Sequence, residues 1–178
     1  AGQWIIALLM CYGLMYAGNL IGTALTFGIG MVKGTGVDNP MVSTVMQLNP
    51  WVTFVIAVLI APTAEELLFR KLLTERIVKY GELPAVLASG LFFGLFHGNL
   101  NQFSYAFLLG LFLGFIYVKT GKLRYTIGLH MAVNFIGSSL GTWMLRVTGY
   151  MDTMETLTKF LNTKDLTVLA DLGNGIVG

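Results

Sequence analysis

From about Gln3 to Val32 the chain runs thirty residues without a charged side chain. A run that long and that apolar exceeds the roughly 20 residues that span a bilayer. Four more apolar runs follow, from Trp51 to Tyr80 with rising polarity, Leu83 to Phe96, Gln102 to Val118 and Tyr125 to Val147. The shorter ones lie near or below the spanning length, which predicts some tilted or partly re-entrant helices. The expected fold is all-α: a polytopic transmembrane bundle of about five hydrophobic helices with a polar cluster inside it. Residues 1–178 read as one membrane-embedded domain whose core runs over about 51–147. The first run is too long for the apolar region of a signal peptide and no cleavage site follows it, so it reads as a true span. The chain begins at Ala1 rather than Met and reads as part of a longer parent.

Composition agrees with a lipid-embedded chain. Of 178 residues, 55% are hydrophobic and 11% charged, where a soluble domain carries about a quarter charged; mean hydropathy is +0.73. A net charge of +2, with the basic residues spread out, speaks against a nucleic-acid partner. The single Cys11 excludes an intramolecular disulfide. Lys33 to Pro50 reads as a polar, Gly-bearing loop, and Gly81 and Gly121 mark tight turns. The tail over 148–178, with Asp152, Glu155, Lys159 and Asp165, reads as a surface helix without an assigned role. Gly18 with Gly22, Gly90 with Gly94, Gly110 with Gly114 and Gly137 with Gly141 have helix-packing spacing. In lipid such pairs let backbones approach closely, so they read as packing without chemistry.

The basic residues predict orientation. Arg70, Lys71, Arg76 and Lys79 precede the first tight turn, and Lys119, Lys122 and Arg124 surround the second, whereas the opposite loops carry only Lys33. The positive-inside rule then puts the turns at Gly81 and Gly121 in the cytoplasm. The charged stretch from Arg70 to Lys79 is expected to project beyond the lipid.

Chemistry is expected where ionisable groups meet apolar runs, because charge at membrane depth is costly and usually functional. Glu65 and Glu66 follow one such run, and both histidines, His97 and His130, lie at or inside others. Asn134 follows His130 by four residues and shares its helical face, and Asn101 and Gln102 follow His97 in a polar stretch. Glu65 lies 16 residues before Gly81 and His97 lies 16 after it, which puts both roughly 24 Å from that turn in an antiparallel hairpin. His130 and Asn134, 9 and 13 residues past Gly121, come to roughly 14 and 20 Å above theirs. The four groups can therefore converge. Glu66 and Arg70 form an i,i+4 pair that would neutralise both, a structural role, and Pro62 reads as a helix start or kink that aims the Glu pair.

Glu65-Glu66-x-x-x-Arg70, Phe93-x-x-x-His97 and His130-x-x-x-Asn134 occur in this order on hydrophobic segments. Together they resemble the CAAX-processing and bacteriocin-processing (CPBP or Abi) membrane endopeptidases, over about Pro62 to Gly137. The resemblance implies an intramembrane endopeptidase acting on a peptide or protein substrate. Glu65 would be the general base that activates water, with His97 beside it, and His130 and Asn134 would bind the water or stabilise the oxyanion. Glu66 and Arg70 would shape the site, with Asn101 in support. Glu65, His97 and His130 could also hold zinc with an open position for water, although a Glu–His pair can activate water without a metal. In a bacterial or archaeal cell membrane the substrate need carry no prenyl group, and bacteriocin processing, immunity or peptide-signal maturation come forward. A non-catalytic scaffold would not need a spare carboxylate, and a small transporter with a Glu/His proton path would be expected to show inverted repeats, which the sequence lacks.

Overall fold

The protein is described by a computed structural model over residues 2–34 and 48–149, with scattered positions between 153 and 164. Most of the predicted polar loop, and the tail apart from those positions, lie outside the described residues. Among the described residues every regular element is helical. Five helices stand where five apolar runs predicted them: α1 (Gly2–Lys33), α2 (Pro50–Tyr80), α3 (Glu82–Phe96), α4 (Leu100–Thr120) and α5 (residues 123–147).

Caps carry several helices a residue or two beyond their apolar runs. Asn49 Oδ1 accepts from the Trp51 N–H at 2.9 Å with Pro50 in the first turn, and Asn99 Oδ1 accepts from the Gln102 N–H at 2.9 Å. Each satisfies an N–H that the first helical turn leaves open. Gly121 ends α4 in the left-handed region at φ 63°, its N–H bonded to Tyr117 O at 2.8 Å, a conformation glycine adopts without a Cβ penalty. α1, α2 and α4 are long and apolar enough to cross a membrane, with 32, 31 and 21 residues. The first two reach about 47 Å, well past the hydrocarbon layer, whereas the 15 residues of α3 give about 22 Å.

α4 lies between α1 and α3. Cys11 of α1, Leu109 and Leu113 of α4, and Leu129 and Val133 of α5 form one buried cluster; Phe69, Phe93 and Ala106 form another beneath the site. Three of the four predicted glycine pairs make the close crossings expected of them. A Cβ on Gly22 would stand 2.7 Å from Asn101 O, one on Gly90 2.6 Å from Leu111 Cδ2, and one on Gly110 2.9 Å from Phe93 Cβ. The fourth pair does not pack a helix. A Cβ on Gly137 would meet nothing within 4 Å, because this face of α5 borders a cavity instead.

Both tight turns lie at one end of the bundle. Lys119, at the end of α4, pairs with Glu82 at the start of α3, and the Tyr117 hydroxyl donates to Glu75 of α2. Trp4 of α1 packs edge-on against Tyr125 of α5 at 6.0 Å. Arg70 does not belong with the projecting charges: it is fully buried on α2, and the projecting stretch begins at Lys71.

Candidate active site

The site is built around a short break in α2. Residues Phe54–Ile60 and Leu67–Thr74 are π-helical, and a regular α turn, Ala61–Glu66, lies between them. Such π segments are uncommon and recur at functional sites. Pro62 stands inside α2 rather than at its start, fully buried. The Ala61 N–H bonds Ile56 O, five residues back. The next donor in that register would serve Ala57 O, but residue 62 is proline and has no N–H. The Asn134 side chain fills the vacancy, donating from Nδ2 to Ala57 O at 2.8 Å.

Adjacent helical residues point in different directions, and the two glutamates separate accordingly. Glu65 faces a cavity of about 520 Å³ and keeps 18% side-chain exposure. Glu66 turns inward and is fully buried. Its Oε1 lies 3.0 Å from Arg70 Nη1, the i,i+4 pair expected from the sequence, and 2.9 Å from His130 Nδ1, a partner that was not expected. Arg70 is held further by Nη2 donating to Gly110 O at 3.3 Å, with its guanidinium 4.7 Å from the centre of the Phe93 ring.

Glu65, His97, His130 and Asn134 all line this one cavity. Their pairing differs from expectation. The carboxylate of Glu65 stands nearest His130, with Oε2 3.7 Å from Nε2, and among the described residues no ion-pair contact joins Glu65 to His97. The His97 ring is turned back on its own helix, where Nδ1 lies 2.9 Å from Phe93 O. A carbonyl only accepts, so Nδ1 carries the hydrogen and neutral His97 keeps its lone pair on Nε2. Asn101 is not in the cavity lining; its Oδ1 accepts from Thr26 Oγ1 at 2.8 Å and ties α4 to α1.

Residues to which the sequence assigned no role complete the site. Phe93 packs edge-on against His97 at 5.1 Å, His130 at 5.5 Å and Phe69 at 5.3 Å, so one ring touches both histidines. Gln102 and Tyr105 of α4 and Met15 and Asn19 of α1 also line the cavity. The Tyr12 hydroxyl of α1 donates to Val133 O at 3.2 Å, which brings the motif-free first helix against the site. Asn19 left a signal in the sequence, as an amide deep in a long uncharged run.

Among the described residues, no three His, Cys, Asp or Glu side chains come together at the spacing that holds a metal ion. Glu65 and His130 approach each other, but His97 does not complete a set with them. As they stand, these three residues do not fit a zinc site.

Apolar helices of spanning length, around a cavity that two imidazoles, a carboxylate and an amide help to line, define a helical integral membrane protein. Residues 47–136 match the family described as Type II CAAX prenyl endopeptidase Rce1-like. The match takes in half of the chain and every residue of the cluster, and the chain belongs to that family, which supports a CAAX-type intramembrane protease in general. Comparison with curated proteins and with solved structures gives no match.

Proposed function

We propose that the protein is an intramembrane endopeptidase that hydrolyses a peptide bond with water activated by Glu65. The observation that carries the reading is the placement of Glu65: it is partly exposed in the cavity and faces His130 Nε2 at 3.7 Å. Glu66, by contrast, is occupied by Arg70 and His130. A gap of that width is too long for a hydrogen bond but lets one off-axis water bond to both groups. Glu65 takes a proton from the water as its oxygen attacks the scissile carbonyl carbon. The carbonyl oxygen gains the negative charge. Collapse of the tetrahedral species then breaks the C–N bond, and Glu65 returns the proton to the departing amine. Asn134 spends one Nδ2 hydrogen on Ala57 O and has a second to offer the oxyanion. His97, across the cavity, presents Nε2 as an acceptor toward the bound water or substrate.

The substrate is a membrane-associated peptide or protein, and the family points first to a CAAX-type C-terminus. The test is cleavage by reconstituted protein of a prenylated CAAX peptide and its unprenylated counterpart. Glu65→Gln preserves shape and removes the base, so it should lose nearly all cleavage while keeping the wild-type melting temperature. Cleavage should persist in a zinc chelator; loss that zinc reverses would replace this mechanism with a metal-dependent one. A wild type that cleaves neither peptide would return the chain to the scaffold reading, whereas a Glu65→Gln that keeps cleaving would remove Glu65 as the base.

A further inference from the structure

Glu66 is the buried acid that the hydrolysis above leaves without a task. It is absent from the cavity lining, and neither it nor Arg70 is exposed at all. The Arg70 guanidinium does not lose its proton in proteins, so the Glu66 carboxylate beside it is held as an acceptor-only group. His130 Nδ1 lies 2.9 Å from that acceptor, itself almost fully buried. An acceptor-only neighbour at this distance requires a hydrogen on Nδ1. We infer that Glu66 is a positioning residue that fixes the tautomer of His130, so that Nε2 faces Glu65 and its water with a lone pair.

This rests on the water-activation reading proposed for Glu65. The consequence of losing the control follows from the 3.7 Å separation of Nε2 and Glu65 Oε2. With the hydrogen on Nε2, a small ring movement would let His130 donate to Glu65. That bond would occupy the base and the place of the water together. Carboxylates behind catalytic or metal-binding imidazoles set tautomers in this way, and replacing one by its amide can leave geometry intact while rate collapses. Phe93 assists by packing against the rings of both histidines, limiting how far either can turn.

The chain has two histidines, so nitrogen NMR of the full chain labelled with ¹⁵N-histidine can read both, and His97→Gln identifies the His130 signals. Wild-type His130 should show a protonated Nδ1 and an unprotonated Nε2. In Glu66→Gln the guanidinium holds the amide oxygen and the amide NH₂ faces Nδ1, so the tautomer should invert. The kcat should fall by about 10³- to 10⁴-fold, as when a triad acid becomes an amide, with KM little changed. A pair that is only structural would leave the tautomer as it was. If Glu66→Gln does not fold, Glu66→Leu combined with Arg70→Leu removes both charges together, and loss of the Nδ1–H form is again expected. An Nε2–H tautomer in the wild type, or a folded variant that keeps the wild-type tautomer, overturns the inference. Failure of the peptidase reading would show separately, as absence of cleavage by a wild type whose tautomer is read regardless.

Discussion

Glu65 and Glu66 are neighbours in sequence and opposites in environment, and the difference follows from one step of rotation along α2. The sequence made half of this readable. Four-residue spacing announced the Glu66–Arg70 pair, and the structure contains it at 3.0 Å with both side chains fully buried. It could not announce that the same carboxylate oxygen also meets His130, 64 residues on, because that contact depends on how α2 and α5 are packed. Phe93 was visible only as the first residue of the Phe-x-x-x-His motif, without a role, since a phenylalanine in an apolar helix is ordinary until its neighbours prove to be two imidazoles and a guanidinium. Arg70→Ala should leave Glu66 charged and poorly compensated in the bundle interior, destabilising by about 3–5 kcal/mol. Detergent-solubilised variant is then expected to melt well below wild type. Wild-type melting with abolished cleavage would instead assign Arg70 a part in the reaction.

At the scale of the element, α2 departs most from what its sequence suggested. Hydropathy marks an apolar helix, but it carries no signal for the π-helical stretches Phe54–Ile60 and Leu67–Thr74, whose side chains are as apolar as those of a regular helix. Pro62 was readable as a disturbance, though as a start or kink of the helix. Its effect is more specific: by lacking an N–H it leaves Ala57 O free for Asn134, 77 residues away in sequence. The i,i+4 spacing of His130 and Asn134 thereby becomes a two-point attachment of α5 to α2, one point on Glu66 and the other on Ala57. Pro62→Ala restores a backbone donor and relieves an interior proline that typically costs about 3 kcal/mol or more. The variant should melt at or above the wild-type temperature. Its cleavage rate should nevertheless drop by about 10-fold, because an Asn134 released from Ala57 is no longer oriented; mispositioned groups lose rate even when nothing chemical is removed. Unchanged activity with raised stability would make the proline a passive feature.

For the whole molecule, the apolar runs fixed the number and order of the helices, and counting residues from Gly81 and Gly121 brought Glu65, His97, His130 and Asn134 to one cavity. That estimate worked because both turns do lie at the same end, joined by Lys119 with Glu82 and by Tyr117 with Glu75. The charge tally that orients the bundle needs two adjustments. Arg70 leaves it, being buried against Glu66 and Phe93 rather than projecting from the turn. Arg146 joins the opposite end, where its guanidinium donates to Leu48 O at 3.0 Å near the start of α2. Over residues 2–149 this leaves six basic residues at the turn end, Lys71, Arg76, Lys79, Lys119, Lys122 and Arg124, against Lys33 and Arg146 at the other. The asymmetry shrinks but keeps its sign, and it is the sign that orients a bundle. Aromatic side chains support an interface at that end, with Trp4 against Tyr125 and Lys79, Lys122 and Arg124 lying over tyrosine rings. The turns at Gly81 and Gly121 should therefore face the cytoplasm. In a chain whose buried Cys11 is replaced by Ala, single cysteines at Tyr80 and Lys122 should resist a membrane-impermeant maleimide applied to intact cells and react once the cells are opened. A cysteine at Trp51, at the far end of α2, should react from outside in both cases. Labelling of the turn cysteines in intact cells would reverse the orientation.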